Sequence, residues 1–351
     1  MVGEMRMHVF DYRMLTDSLP ADIAGVSNII FDLRARNEMR RLQDGSGFDR
    51  LREAAIVESV RGSNAIEGIV TTRARLAELM GGAEPHTHGE RELMGYRAAL
   101  QEMYAPDFSA DLTEDYVHHL HRLLLGSTST QAGTYKLEDN WIQERDASGR
   151  IRVRFVPVPA AETADAMGQL VMAYREVRQD PSVNVVALVA CVVVDFLCIH
   201  PFADGNGRIS RLLTTMLLQR AGFDICRYVS IEGMIDKYKA GYYDALGEAS
   251  EGWHDNDNDY MPFVLYLLQI LYACYRELDL RYVEETLERV PKSKRVEALL
   301  MGAYVPISKA DISDRLPEVS VRTIERVLSR LMRDGKVEKI GTYRDARYRR
   351  L

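Results

Sequence analysis

The sequence predicts a mainly α-helical protein of two or three domains. Apolar residues recur at helical spacing through most of its 351 residues, whereas strand-like runs are short and few. With 46% hydrophobic and 28% charged residues, the composition is ordinary for a globular protein. We expect three regions, which comprise residues 1–93, 94–289 and 290–351.

The N-terminal region, residues 1–93, is predicted to be helical. Within it, residues 28–42 alternate apolar and basic side chains at helical spacing. Residues 63–68 read Ser-Asn-Ala-Ile-Glu-Gly. One interpretation of this segment is an ordinary helix end capped by Gly68, because glycine readily adopts the left-handed conformation of such caps.

The central region, residues 94–289, contains the most informative stretch of the chain. Residues 185–199 are almost all apolar, and the apolar residues of 209–219 recur at helical spacing, with Gly222 as a candidate cap. Residues 200–211 read His-Pro-Phe-Ala-Asp-Gly-Asn-Gly-Arg-Ile-Ser-Arg. We therefore expect a loop between two buried helices, leading into a helix N-terminus, whose unpaired N–H groups favour an anion.

Four residues of this loop suit a polyphosphate. Gly205 and Gly207 let the backbone approach phosphate oxygens closely and tolerate positive φ. Arg208 and Arg211 can each donate a pair of hydrogen bonds to phosphate oxygens.

Two further side chains of the loop supply reactive chemistry. His200 titrates near neutral pH and can accept a proton from an incoming hydroxyl. Asp204 is a hard oxygen ligand suited to Mg²⁺ shared with a nucleotide. A solvated Gly-Asn-Gly turn is the alternative interpretation. The string is not a dinucleotide-binding or Walker A motif, since no strand precedes it and no Gly-Lys-Ser/Thr follows.

The complete string resembles the signature of the Fic (Fic/Doc) family, His-x-Phe-x-Asp/Glu-Gly-Asn-Gly-Arg-x-x-Arg. The resemblance implies a helical core with a β-hairpin flap, and a protein adenylyltransferase that moves AMP from ATP to a Tyr, Thr or Ser hydroxyl with release of pyrophosphate. It implies that His200 is the base and that Asp204 holds Mg²⁺. It assigns phosphate binding to the rest of the string, with Gly205, Asn206, Gly207 and Arg208 at the α- and β-phosphates and Arg211 at the γ-phosphate.

The resemblance extends to a flap before the motif. Residues 133–136 look like the segment ahead of the family's hairpin, although Lys136 stands where arginine is usual. Residues 152–159 look like a flap strand with a Pro-rich exit, and such an edge strand can pair with an extended target segment. We expect Arg154 and Phe155 of this strand to contribute to nucleotide binding.

The resemblance also extends to a helix after the motif. Residues 242–246 look like the family's Tyr-Tyr-x-x-Leu helix, in which Tyr242 lines the nucleotide site. Some members carry an asparagine eight residues later that contacts the nucleotide, and this chain has Ser250 there.

The segment at 63–68 fits a second family motif, the inhibitory Ser/Thr-x-x-x-Glu-Gly/Asn, with Ser63, Glu67 and Gly68 at its fixed positions. By this resemblance Glu67 pairs with Arg211 and occupies the place of the γ-phosphate. ATP could then bind only in a pose that spoils in-line attack. In some members the same glutamate positions a water that removes AMP from a modified target, so this reverse activity stays open.

Several other classes of site are disfavoured. Four cysteines, at positions 191, 198, 226 and 274, lack CxxC spacing and are expected in the core. His118, His119 and His121 do not share one helix face well, so we expect no metal site there. The first ten residues lack an apolar core, and 185–199 contains Asp195 and is short for a membrane span. We expect a reducing, cytoplasmic location and no membrane partner.

The C-terminal region, residues 290–351, carries 15 Lys and Arg against 8 Asp and Glu, although the whole chain has a net charge of −7. Its patterns predict a hinge and four elements, namely the hinge near 291–293, helices at 294–304, 308–315 and 320–333, and a hairpin of 337–340 and 346–351. This order resembles a winged helix. We expect DNA contacts from the outward face of the third helix, at Arg322, Arg326 and Arg330. A packing or homodimerisation module is the alternative.

Three functions follow from these patterns. The first is an autoinhibited protein adenylyltransferase that modifies a target protein or itself and has a DNA-binding tail. The second is an enzyme that removes AMP by means of Glu67. The third is a DNA-binding transcriptional regulator whose central domain only senses nucleotide. The presence of the candidate base His200 and metal ligand Asp204 argues against this third, inactive form.

Overall fold

The computed structural model describes residues 8–16, 19–43, 45–145, 150–287, 294–342 and 346–351. It is mainly helical, which confirms the predicted fold class. The predicted hinge at 291–293 lies outside the described residues.

Helices dominate the chain up to residue 287. The N-terminal helices are α1 (Ala21–Gln43), α2 (Gly45–Ile66), α3 (Arg73–Met80) and α4 (His88–Met103). Next come α5 (Glu114–Leu125), a hairpin of β1 (Ile142–Arg145) and β2 (Ile151–Phe155), and α6 (Thr163–Val177). The remaining helices are α7 (Val185–Ile199), α8 (Asn206–Arg220), α9 (Ile231–Lys237), α10 (Lys239–Ser250) and α11 (Met261–Leu287).

One continuous hydrophobic core joins the N-terminal helices to the central ones, and it extends from Tyr12 to Val305. Every α7 residue from Val186 to Ile199 is buried. The core therefore has no boundary near residue 93, where the sequence suggested the end of a region. β2 ends at Phe155, before Pro157 and Pro159, because proline cannot donate to a ladder.

Helix α2 packs tightly against α9, and this packing positions the end of α2. A Cβ added to Gly62 would lie 2.8 Å from the backbone nitrogen of Gly233, so the two backbones approach too closely for a side chain. Ser59 donates a hydrogen bond of 2.9 Å to Ser230 across the same contact. The chain leaves α2 through Gly68, whose φ of +80° is the left-handed conformation expected of a cap.

A buried carboxylate on α7 ties three segments together. Asp195 has no exposed surface and accepts hydrogen bonds from Tyr12 (2.6 Å), the Trp253 indole (2.8 Å) and Tyr260 (2.7 Å). His8 stacks on Trp253 with ring centroids 4.1 Å apart. Burial raises the pKa of Asp195, and the three donors oppose that shift. The N-terminal segment is thereby fixed to the core.

A smaller unit follows α11 and has its own hydrophobic core. It consists of α12 (Arg295–Gly302), β3 (Ile307–Ser308), α13 (Lys309–Arg315), α14 (Val321–Arg333), β4 (Val337–Ile340) and β5 (Arg347–Arg350). The strands form an antiparallel sheet in the order β3-β5-β4. The sequence predicted neither β3 nor its pairing, because a two-residue strand has no readable periodicity.

A buried ion pair connects this unit to the helices before it. Arg40 of α1 donates to Asp279 of α11 at 2.9 Å, and both side chains are almost fully buried. The other oxygen of Asp279 accepts from the backbone N–H groups of Tyr304 (2.6 Å) and Val305 (3.2 Å). The loop after α12 is therefore held against the longest helix.

None of the helices in the described ranges is both long enough and apolar enough to span a bilayer.

We predict that Asp195→Ala lowers the free energy of unfolding by about 3–5 kcal/mol, because it leaves the buried donors of Tyr12 and Trp253 without an acceptor. Urea unfolding followed by circular dichroism measures the loss. Cys198→Ala, at an equally buried position of the same helix, is the control and should cost about 1 kcal/mol. Equal losses in the two variants would contradict the role given to Asp195.

Candidate active site

A cleft of about 310 Å³ opens where α2, β1, the α7–α8 loop and α10 converge. Its walls include most of the residues singled out in the sequence, which are Glu67, His200, Asp204, Gly205, Asn206, Gly207, Arg208, Arg211 and Tyr242. The volume lies at the small end of the range for ligand pockets. The remaining wall residues are Ile142, Gln143, Leu197, Ala203, Tyr243 and Leu246.

His200 ends α7 and faces this cleft in an uncommon backbone conformation. Its φ of +50° is left-handed, which turns the chain sharply out of the helix. Its Nδ1 lies 3.2 Å from the carbonyl of Leu197, and a carbonyl can only accept, so Nδ1 carries the proton. Burial lowers the pKa of His200 to about 4. The imidazole is therefore neutral at physiological pH, with Nε2 available as a base.

The loop between His200 and α8 is closed by Asn206. Its side-chain oxygen accepts from the N–H of Phe202 at 2.9 Å, and its side-chain nitrogen donates to the carbonyl of Phe202 at 2.7 Å. The side chain of Asn206, expected at the phosphates, thus braces the loop. The first turn of α8 leaves its N–H groups directed at the cleft end of the helix.

Two glycines, Gly205 and Gly207, lie at the start of α8, and a side chain would be disfavoured at each for a different physical reason. Gly205 precedes the helix with φ of +82°, a conformation in which a side chain would be strained. Gly207 lies under the carboxylate of Glu67, and a Cβ added to Gly207 would collide with Oε1 of Glu67. The left-handed conformation therefore favours glycine at position 205, whereas a side chain at position 207 would displace the carboxylate of Glu67.

His121 of α5 supports the same loop and was not predicted to do so. It accepts from the N–H of Gly133 at 2.8 Å through Nδ1 and contacts the carbonyl of Asp204 at 3.1 Å through Nε2. Its ring stacks on Phe202 with centroids 3.8 Å apart. Burial lowers the pKa of His121 to about 4, so it acts as a neutral donor and acceptor. In the sequence it could be noticed only as one of three neighbouring histidines.

Asp204 is a suitable ligand for Mg²⁺. Its side chain is 74% exposed, and one oxygen accepts from the N–H of Gly205 at 2.6 Å. Within the described residues, no three His, Cys, Asp or Glu side chains gather as a metal site. Mg²⁺ commonly uses one or two carboxylates and takes its other ligands from substrate phosphates and water, so the single carboxylate fits it.

Arg208 forms a buried ion pair with a carboxylate that could not be identified from the sequence. It donates to Glu92 of α4 at 2.6 Å, and the two side chains are 3% and 4% exposed. A second nitrogen of Arg208 lies 3.5 Å from Asp204. His88 contacts the other oxygen of Glu92 at 3.0 Å. Arg208 is therefore fixed in direction before any phosphate arrives.

Arg211 makes its contacts with the end of α2. Its Nε donates to the Ser63 hydroxyl at 2.8 Å, and one terminal nitrogen donates to the Ser63 carbonyl at 3.0 Å and to Glu67 at 2.7 Å. Burial acts to lower the pKa of Arg211, but Glu67, Tyr242 and Tyr96 together outweigh it and leave the pKa above its ordinary value. Glu67, expected from the sequence to pair with Arg211, therefore lies in contact with it, and Ser63 is a further partner that was not expected.

Lys239 fixes the residue that precedes Glu67. Its ammonium donates to the carbonyl of Ile66 at 2.7 Å, at the last turn of α2. A cation at a helix C-terminus satisfies a free carbonyl and opposes the helix dipole. The position of Glu67 is thus set by Lys239 and Gly68 as well as by Arg211.

Two flap residues, which the sequence predicts to contribute to nucleotide binding, lie beside a second depression. Arg154 and Phe155 do not line the cleft. Arg154 donates to the carbonyl of Tyr243, and Phe155 stacks on His254 with centroids 5.3 Å apart. Both line a separate depression, together with Ser250. The hairpin places Ile142 and Gln143 of β1, rather than residues of β2, on the wall of the cleft, with an irregularity in the register between residues 142 and 143.

Comparison with known proteins agrees with this geometry. Residues 111–218 match the model of the Fic/DOC family. Protein adenylyltransferase Fic of Nematostella vectensis is 27% identical over 225 residues, 61% of this chain and 46% of that protein. Protein adenylyltransferase fic-1 of Caenorhabditis elegans is 25% identical over 240 residues, 66% of this chain and 43% of that protein. The chain thus spans less than half the length of these curated relatives.

A similar fold has been solved. A crystal structure of a Fic family protein from Desulfovibrio desulfuricans G20 superposes with a TM-score of 0.63 at 22% identity, covering 96% of this chain and 98% of that one. This likeness concerns the fold. The sequence match to the Fic/DOC family model is confined to residues 111–218, whereas the similarity of fold extends over nearly the whole chain.

Proposed function

We propose that the chain is an autoinhibited protein adenylyltransferase, which transfers AMP from ATP to a hydroxyl side chain of a target protein or of itself. The observation that carries the proposal is a neutral His200 in one cleft with the N-terminus of α8 and two buried arginines. The two curated relatives are named protein adenylyltransferases, which supports the same chemistry.

In the proposed reaction, the target hydroxyl oxygen attacks the α-phosphorus of ATP. Nε2 of His200 takes the hydroxyl proton as the new oxygen–phosphorus bond forms. The bond between the α-phosphorus and the oxygen that bridges to the β-phosphate breaks, and pyrophosphate leaves. Asp204 would hold Mg²⁺, which supplies charge neutralisation on the polyphosphate when bound.

The start of α8 provides the electrostatic part of this chemistry. N–H groups at a helix N-terminus and an arginine already directed by Glu92 need little reorganisation when charge develops on phosphate oxygens. We assign the α- and β-phosphates to this turn and to Arg208. Arg211 receives the γ-phosphate once Glu67 has released it.

The flap offers a docking edge for the target. Exposed apolar side chains cluster on and beside it, at Leu137, Trp141, Ile151, Val153 and Val156. Ile142 and Gln143 of β1 line the cleft, so a segment that pairs with the hairpin runs next to His200. We infer that the target presents its hydroxyl in an extended segment with apolar neighbours.

Removal of AMP is a second candidate activity, and one observation favours it. Glu67 binds Arg211 through Oε1, while its side chain keeps 35% of its surface exposed to the cleft. The second oxygen could therefore orient a water molecule towards a phosphorus atom. This activity uses the same carboxylate as the proposed inhibition.

DNA binding by the C-terminal unit is a further candidate function. The proposal is supported by its order of helices and strands, which resembles that of a winged helix, and α14 would be the recognition helix. Arg322 and Arg326 are exposed on α14, and neither forms an ion pair with the described residues. Arg330, in contrast, pairs with Glu297. We therefore expect Arg322 and Arg326 to contribute most to phosphate binding.

We predict that Glu67→Gly raises the rate of self-modification with labelled ATP and Mg²⁺ by about 10-fold or more, because it frees Arg211 for the γ-phosphate. Glu67→Gln, which keeps the length of the side chain, should give an intermediate rate. The measurement is incorporation of labelled AMP into protein.

The matched control is His200→Ala in the Glu67→Gly background, which should abolish incorporation. Equal rates for the wild type and Glu67→Gly would contradict autoinhibition. Incorporation that survives His200→Ala would contradict the assignment of the base.

We predict that His200 titrates near pH 4 in the nucleotide-free protein, since burial lowers its pKa to about 4. The imidazole then stays neutral down through pH 5 and gains its proton only below that. NMR of histidine ring carbons measures the midpoint, and the signal is assigned by its loss in His200→Ala. A midpoint near 6.5, the value of a solvated histidine, would contradict the buried neutral base.

We predict that Arg322→Ala and Arg326→Ala each weaken duplex DNA binding. Each should also reduce the slope of log K against log salt concentration by about one unit, because one phosphate contact is lost. Fluorescence anisotropy over a series of salt concentrations measures both quantities. Arg330→Ala is the comparison and should have the smallest effect. Wild-type binding that does not respond to salt would count against phosphate contacts.

A further inference from the structure

Two side chains outside the motif hold the backbone on both sides of His200. The Lys136 ammonium donates to the carbonyl of Ile199 at 3.1 Å and to Oδ1 of Asn140 at 2.9 Å. The backbone N–H of Lys136 donates to the carbonyl of Pro201 at 2.8 Å. Residues 199 and 201 are therefore both tied to one lysine.

Asn140 extends this arrangement by one residue. Its Nδ2 donates to the carbonyl of Phe202 at 3.1 Å while its Oδ1 accepts from Lys136. We call these two residues the Lys136–Asn140 bracket. The bracket binds the carbonyls of the residue before His200 and of the two residues after it.

The local backbone explains why such a bracket is needed. His200 has a Cβ and yet adopts φ of +50°, a conformation that residues other than glycine seldom adopt without outside support. Ile199 is the last residue of α7, where carbonyls lack helical partners. A buried cation there satisfies such a carbonyl, and Lys136 is only 4% exposed.

We propose that Lys136 and Asn140 are positioning residues that fix the direction of the His200 imidazole for proton acceptance, without contacting ATP. The role in catalysis rests on the proposed function, whereas the effect on the backbone of His200 does not. Neither residue lines the nucleotide cleft.

The charges around His200 give the proposal an independent readout. Lys136 lies on the segment before the flap, Glu67 at the end of α2 and Asp204 on the loop of His200 itself. After burial, which lowers the pKa of His200 most, Lys136 lowers it further, while Glu67 and Asp204 raise it. Removal of Lys136 should therefore raise the pKa of His200 above about 4.

The test compares Lys136→Met, Lys136→Arg and Asn140→Asp in the Glu67→Gly background. Lys136→Met should lower kcat for AMP transfer about 10²-fold and leave KM for ATP within about 2-fold. This combination is expected when the imidazole of His200 is present but misplaced. Lys136→Arg keeps the cation and its donors and should recover most of the rate. Lys237→Met removes an exposed lysine and is the matched control with unchanged kcat.

The second measurement is the NMR titration of His200 in the nucleotide-free proteins, and it does not require activity. Lys136→Met should raise the midpoint, and Lys136→Arg should restore it. If Glu67→Gly proves inactive but the midpoint still rises in Lys136→Met, the proposed function fails and the bracket stands.

Unchanged kcat and an unchanged midpoint in Lys136→Met would overturn the proposal. A higher KM for ATP with unchanged kcat would overturn it as well, because it would assign Lys136 to nucleotide binding. If Lys136→Met does not fold, Asn140→Asp decides. That variant keeps the acceptor for Lys136 but loses the donor to Phe202, and it should lower kcat without changing KM.

Discussion

The burial of Arg211 is the constraint on which the candidate site depends. Its guanidinium is 2% exposed, and its hydrogen bonds go to Ser63 and Glu67 at the end of α2. A buried charge requires partners, because removing it from water is costly. A γ-phosphate can therefore engage Arg211 only by displacing Glu67. This makes the N-terminal helices part of the site, in agreement with the single core that they share with α7 and α8.

The proposed switch relies on packing as much as on charge. Changing a population from mostly inactive to mostly active requires about 5.5 kcal/mol. An ion pair whose carboxylate is one-third exposed is screened by water and cannot supply all of this. We expect the remaining free energy to come from the packing of α2, through the close approach of Gly62 to Gly233 and the contact of Lys239 with the end of the helix. The regulated element is therefore the whole end of α2.

Local features of the site could be predicted from the sequence, whereas long-range partners could not. The string from His200 to Arg211 specifies a loop and a helix start within twelve consecutive residues, so both features could be predicted from local sequence. Glu92, His121 and Lys136 act over separations of about 60 to 120 residues, which no spacing rule reveals. The directions of the flap side chains could not be predicted from the sequence, because they depend on hairpin register, and Arg154 turns to the carbonyl of Tyr243.

We propose that Glu67 and the γ-phosphate compete for Arg211, and a comparison of two nucleotides tests this competition. Calorimetric titration of ATP and ADP, each with Mg²⁺, is carried out on the wild type and on Glu67→Gly, both with His200→Ala to prevent turnover. ADP lacks the γ-phosphate, so we predict that Glu67→Gly changes the affinity for ADP little. The same substitution should tighten ATP binding by about 10-fold, which corresponds to one charge-assisted hydrogen bond. Equal changes in affinity for ATP and ADP would contradict it.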